Sequence, residues 1–112
     1  MGKITIGLTE YVTIHGIKKK RIKARIDTGA TRSSMDTTLA KQLHLGPIIK
    51  RKKVKSAHGS RLRPVIECQI ELANKKMLSE FTLADREHMR YKVLIGQNVL
   101  KQQKFLIDPS IE

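Results

Sequence analysis

From residue 21 the chain alternates strictly, Arg21-Ile22-Lys23-Ala24-Arg25-Ile26, and the alternation stops at Asp27-Thr28-Gly29. A period of two sends alternate side chains to opposite faces, so this stretch predicts a strand with one apolar and one basic face. That pattern constrains the fold: it belongs to a sheet buried on one side and wet on the other. It also delivers an acid to the end of a strand, where Thr28-Gly29 predicts a turn and glycine tolerates backbone angles that other residues avoid. Asp27 is therefore either a turn-former or a presented catalytic carboxylate.

The flanking segments predict more sheet. "ITIGLTEYVTIHG" reads as strand leading to a corner at His15-Gly16. "IIKRKKVKSAHGSRLRPVIECQIEL" reads as a hairpin, about residues 50–66, with Ala57, His58, Gly59 and Ser60 at its tip. Pro64 interrupts that run and predicts an edge or a bulge. "MLSEFTLAD", "YKVLIG" and "KFLIDPS" supply further strands. "MDTTLAKQLHLG" is the clear helix, with Asp36 as N-cap, Leu39, Ala40 and Leu43 on one face, and Gly46 as its stop. "QNVLKQQ" predicts a second helical turn. The expectation is a mostly β fold with one or two short helices, in a single domain over residues 1–112.

Composition narrows the class. At 112 residues, 39% hydrophobic and 29% charged, the chain suits one small globular domain. Its longest apolar runs, such as Val93-Leu94-Ile95, are too short to cross a bilayer as helix. The opening "MGKITIGLTE" has no secretory pattern. With the lone Cys68, which reads as a packed strand residue, this makes a cytoplasmic location and no membrane the expectation. A net charge of +13 predicts attraction to acidic partners.

Three features favour the catalytic reading of Asp27. An apolar-faced strand delivers it, a helix follows, and "VLIG", Val93 to Gly96, recurs near the end as an apolar strand closing in glycine. In this order the segments resemble retropepsin-like aspartic peptidases. "KARIDTGATRSS", "HGSRLRPVIE", "LADREHMRYKVLIGQNVL" and "FLIDPS" are most similar to the prokaryotic family labelled ATP-dependent zinc proteases, which often accompany ATP-grasp ligases that add glutamates to proteins. The resemblance implies a single-lobe β-barrel, Asp27 as the catalytic acid with Thr28, Gly29 and Ala30 supporting its loop, and residues 57–60 as a flap tip. Arg61, Arg63, Ile95 and Gly96 become substrate-binding candidates. Gln97 departs from the pattern, which favours Arg after the glycine.

Aspartic peptidase chemistry needs two carboxylates about 3 Å apart sharing one proton. The chain has one Asp-Thr-Gly. Ile107-Asp108-Pro109-Ser110 is a poor second half, because Pro109 lacks the hydroxyl and Ser110 lacks the glycine. The expectation is a C2 homodimer, each copy supplying Asp27, with Thr28 bracing the two loops. Ala30, unlike Ser or Thr, cannot hydrogen-bond the carboxylate, which points to action nearer neutral than strongly acid pH.

The basic clusters, residues 18–25 and 50–63, suit an acidic or polyglutamate-tailed substrate overhung by the flap. Their competing reading is a basic polyanion-binding module with little or no catalysis, with ribosomal or nucleic-acid association. Against stacking on nucleic acid, Tyr11, Phe81, Tyr91 and Phe105 read as scattered. His15, His44, His58 and His88 form no metal motif and no phosphate-binding glycine loop is present, so neither metal nor cofactor is expected.

Overall fold

The computed structural model describes residues 2–56 and 59–112. Two strands open the chain, β1 (Thr5–Ile6) and β2 (Thr9–His15). β2 turns through residues 16–18 into β3 (Lys19–Ile26), whose alternation is as expected: Ala24 and Ile26 are buried, Arg21, Lys23 and Arg25 exposed. Then follow β4 (Ser33–Asp36), α1 (Thr37–Gln42), β5 (Lys50–Ser56), β6 (Gly59–Leu72), β7 (Lys75–Ala84), β8 (Val93–Ile95), α2 (Gln97–Leu100) and β9 (Leu106–Ile107).

Six strands close on themselves in the order β2-β3-β8-β4-β7-β6, and β6 returns to β2. Closure removes the open edges that a six-stranded sheet would otherwise present. β5 lies outside the ring, paired among the described residues with β6 alone, and β1 and β9 form a separate parallel pair. The interior is filled by alternate residues of the ring, among them Val12, Ile14, Met35, Ile66, Ile70, Phe81, Val93 and Ile95, each at most 1% exposed. Each such side chain contributes roughly 1.5–3 kcal/mol by leaving water.

Local chemistry explains the connections. β6 passes to β7 through Ala73 and Asn74, with φ of 51° and 64°, the twist that a two-residue hairpin loop requires. The Asp36 carboxylate caps α1 by accepting from the Leu39 amide at 3.2 Å. Leu39, Ala40 and Leu43 are buried, as the helical spacing predicts.

Several expectations are corrected. The helix starts at Thr37 behind the expected Asp36 cap, but Ser33–Asp36 form a strand that the sequence did not show, β4, parallel to β7 and antiparallel to β8. It stops at Leu43, with His44 taking the left-handed φ of 53° in place of Gly46. Gly59 and Ser60 belong to β6, opposite Ser56 and Lys55, and Gly59 takes a φ of 114° that favours glycine. Ala57 and His58 lie outside the described residues. The edge expected at Pro64 is present, since residues 59–64 pair on one side only, with β5, and β6 runs through it without a break. The last strand is two residues long, since Asp108 leaves it to accept from the Ser110 amide and hydroxyl at 2.9 and 2.6 Å. Those two bonds hold the Asp108 carboxyl below its ordinary pKa. No helix among the described residues is long and apolar enough to cross a membrane.

Candidate active site

β3 ends at Ile26, and Asp27 continues its line by donating its amide to the Ile95 carbonyl at 2.9 Å. The chain then turns at Thr28-Gly29. Gly29 donates its amide to Asp27 Oδ1 at 3.0 Å, and the Ala30 amide reaches the Asp27 carbonyl at 3.2 Å. The loop thus folds around the carboxylate that it presents. Gly29 is not in the left-handed region, contrary to the sequence expectation. A Cβ there would lie 3.4 Å from Asp27 Oδ1, so the glycine keeps the space beside the carboxylate clear.

The residues after β8 hold this loop from behind. The Gln97 amide donates to the Ala30 carbonyl at 2.8 Å and the Asn98 amide to the Thr31 carbonyl at 3.2 Å. The Gln97 side chain donates to the Thr28 carbonyl at 2.8 Å, so the residue that departs from the family pattern still braces the loop. Asn98 Oδ1 accepts from the Ser33 amide at 2.8 Å and the Ser33 hydroxyl at 2.7 Å, while its Nδ2 donates to the Glu80 carbonyl at 2.9 Å. The Ser33 oxygen in turn accepts from the Gly96 amide at 2.9 Å. Ser33 is fully buried, so these bonds satisfy groups that water does not reach.

Ile95 and Gly96 were expected to touch substrate. Instead Ile95 is fully buried in the core, and Gly96 lies where a Cβ would come within 2.6 Å of the Arg32 carbonyl oxygen and 2.8 Å of that of Ala30. Both act on the Asp27 loop through backbone contact. Ser33 and Asn98 were not singled out in the sequence. Their signal was available as a serine inside an unrecognised short strand and an asparagine two residues after "VLIG".

A cleft of about 450 Å³ separates this loop from the β5–β6 hairpin. Ala30 and Thr31 contribute to its wall from the loop, and Asp27 itself does not. Five cations line it: Arg32, Lys53, Lys55, Arg63 and Arg86. Among the described residues, no carboxylate does. Of the two arginines singled out in the sequence, Arg63 lines the cleft, whereas Arg61, two residue pairs nearer the tip, is exposed and off the wall. Arg32 lies 3.8 Å from Glu80, whose carboxylate also takes Lys50 at 3.0 Å.

Arg86 is the cleft residue that sequence reasoning missed. Its amide donates to Asp36 Oδ1 at 2.8 Å and its Nε to the Tyr91 carbonyl at 3.1 Å. Burial pushes its guanidinium below the usual value, and the carboxylates of Asp36 and Asp27 oppose that shift. Among the described residues, no three His, Cys, Asp or Glu side chains gather in a way that would hold a metal ion.

A family model described as RimB-like, retropepsin-like aspartic endopeptidase RimB, matches residues 36–112. That span contains the hairpin, Arg86 and the Gly96–Asn98 brace, and begins beyond the Asp27 loop. Probable alpha-L-glutamate ligases are similar along nearly the whole chain. That of Shewanella pealeana is 29% identical, covering 96% of this chain and 29% of the ligase. That of Parasynechococcus marenigrum is 26% identical, covering 96% and 28%. The chain thus spans under a third of the length of these relatives. Among solved structures, Lpg0085 of Legionella pneumophila, of unknown function, superposes with a TM-score of 0.71 at 21% identity, covering 98% of this chain and 96% of that one. The simian foamy virus protease superposes at 0.63 with 18% identity, covering 83% and 91%. Both structural likenesses concern the fold, a retropepsin-like barrel.

Proposed function

Because the chain belongs to the RimB-like family of retropepsin-like aspartic endopeptidases, we propose that it hydrolyses amide bonds with a water activated between Asp27 and the Asp27 of a second copy. The observation that carries this reading is the Asp27 loop, which curls around its own carboxylate and is tied at four points to residues 95–98. A preorganised carboxylate is what general acid–base chemistry requires. One carboxylate of the pair takes a proton from water as the hydroxide adds to the scissile carbonyl, while the other donates a hydrogen bond to the carbonyl oxygen. The proton then passes to the leaving nitrogen as the C–N bond breaks.

On this reading residues 50–66 are the flap and the described chain works as one unit. The substrate is an acidic peptide or a glutamate tail, since the cleft wall carries five cations and no acid. The names of the ligase relatives support glutamate chemistry of this kind. A cytoplasmic setting is part of the proposal and rests on the single, buried Cys68.

The test is incubation of wild type and Asp27→Asn with acidic peptides, including side-chain-linked glutamates, read by mass spectrometry. Cleavage is expected from the wild type alone. Equal cleavage by a clean Asp27→Asn preparation would sink the mechanism, and sedimentation that shows only monomer during turnover would sink the dyad. The second reading, a polyanion-binding module, keeps the same cationic cleft and predicts salt-sensitive binding of acidic chains without hydrolysis by either protein.

A further inference from the structure

We propose that the outer face of β3, with the loop beside it, is an exosite that binds an acidic polypeptide outside the cleft and leads it towards Asp27. The proposal rests on the peptidase reading for its substrate class and on separate residues for its geometry.

The register makes the connection. Period two places Arg21, Lys23 and Arg25 on the face that Asp27 continues at the strand's end. At about 3.3 Å per residue, Lys23 stands some 13 Å from Asp27 and Arg21 some 20 Å. Sideways, Arg25 pairs with Leu94, and Leu94 pairs with Ser34. Directly paired residues share a face of the sheet. Leu94 and Ser34 line the cleft, so Arg25 stands next to its wall. Arg25, Lys23, Arg90 and Tyr91 also line a depression of about 300 Å³, with Glu112 as its one carboxylate-bearing residue among those described. The basic surface therefore continues from the cleft along β3.

The two tyrosines read as scattered in the sequence both stack with cations of this surface. Tyr11, opposite Lys23 on β2, has the Arg21 guanidinium 3.8 Å from its ring centroid and the Lys23 ammonium at 5.9 Å. Arg90 lies 5.4 Å from the centroid of Tyr91. Such stacking fixes the cations without neutralising them. None of Arg21, Lys23, Arg25 and Arg90 is ion-paired among the described residues. A row of oriented, unneutralised cations ending at the candidate catalytic acid suits a chain that is acidic over many residues. A single acidic residue at the scissile bond would not reach it.

The experiment measures binding in the Asp27→Asn protein by fluorescence anisotropy. Its probes are an acidic peptide of about six residues, which fills the cleft alone, and one of about sixteen, which reaches β3. The longer peptide is expected to bind more tightly. R21E/K23E should weaken it by about tenfold, R21Q/K23Q by less, and the short peptide's affinity should change by less than about twofold in either. Thermal melts show whether the variants are folded, and the neutral pair removes the charge without introducing repulsion. Equal affinities for both lengths, or equal losses for both, overturn the proposal. So does a single-stranded RNA of similar extended length that binds more tightly than the long peptide and loses affinity in the same variants, which would assign the face to nucleic acid. Because the readout is binding, a failure of hydrolysis would count against the peptidase reading and leave this result intact.

Discussion

The two walls of the cleft are built in opposite ways. On one side, residues 27–33 are tied to residues 95–98 by buried polar groups, with Ser33 and Asn98 each meeting several partners. On the other, β5 pairs only with β6, and the outer half of β6 pairs only with β5. Lys50, Arg51, Lys53, Lys55, Arg61 and Leu62 are all exposed there. The first wall has one arrangement, and a loss at Ser33 or Asn98 leaves a buried group unpaired. The second is held by a single ladder of backbone bonds and buries little, so its local stability is low. On the proposed function, a fixed wall on one side and an adaptable charged cover on the other suit action on an extended chain.

Substitutions on the two walls test this contrast. Gly96→Ala drives a Cβ against two backbone carbonyls, which no rotamer change relieves, and should cost about 3 kcal/mol in a urea melt as well as activity. Ser33→Ala leaves the Gly96 amide and Asn98 Oδ1 short of a partner and should cost about 2 kcal/mol. Asn98→Ala should cost a similar amount, and the double variant less than the sum, because the two residues share bonds. Full additivity would show that the brace is not one network. Gln97→Ala removes one exposed bond to Thr28 and should cost about 1 kcal/mol or less, while lowering kcat more than it raises KM. Leu62→Ala on the hairpin, where the side chain is 68% exposed, should change stability by less than about 0.5 kcal/mol. A large loss there would show that the hairpin is as firmly built as the loop, and the contrast would fall.

Cys68 gives an independent measure of the barrel's integrity. Burial, assisted by Glu67, pushes its thiol up to about 12, so the thiolate is scarce at neutral pH. Alkylation in the native protein should be slow and should accelerate on addition of denaturant. Fast native labelling at pH 8 would mean that the barrel opens readily.

Much of the sheet was legible because its signal is local. β3 shows in the alternation of Arg21–Ile26, the hairpin in two β-rich runs around Gly59, and α1 in an Asp cap followed by helical spacing. The Asp27 loop was legible as a motif. The brace was not, because Ser33 and Asn98 are 65 residues apart and neither has a distinctive neighbourhood. β4 escaped because its four residues take their pairing from β7 and β8 rather than from any pattern of their own. Ile95 and Gly96 were placed in the right region and given the wrong contacts, since sequence order cannot tell the side of a strand that faces a cleft from the side that faces the core. Arg86 sits in a charged loop whose composition is ordinary, and its value comes from Asp36, at the end of β4 and far off in sequence.

The parallel pairing of β1 with β9 bears on how two copies would combine. Thr5 meets Leu106 and Ile6 meets Ile107 within one chain, so each copy can complete this pair from its own two ends. On the two-copy reading, subunits then meet and part as finished barrels, and partners exchange at the rate of dissociation rather than of unfolding. An Asp27→Asn copy mixed with wild type would enter pairs freely and silence each one it joined. In an equal mixture of equally avid copies, mixed pairs would be as common as the two pure kinds together, and the surviving activity would count the pairs holding two intact aspartates.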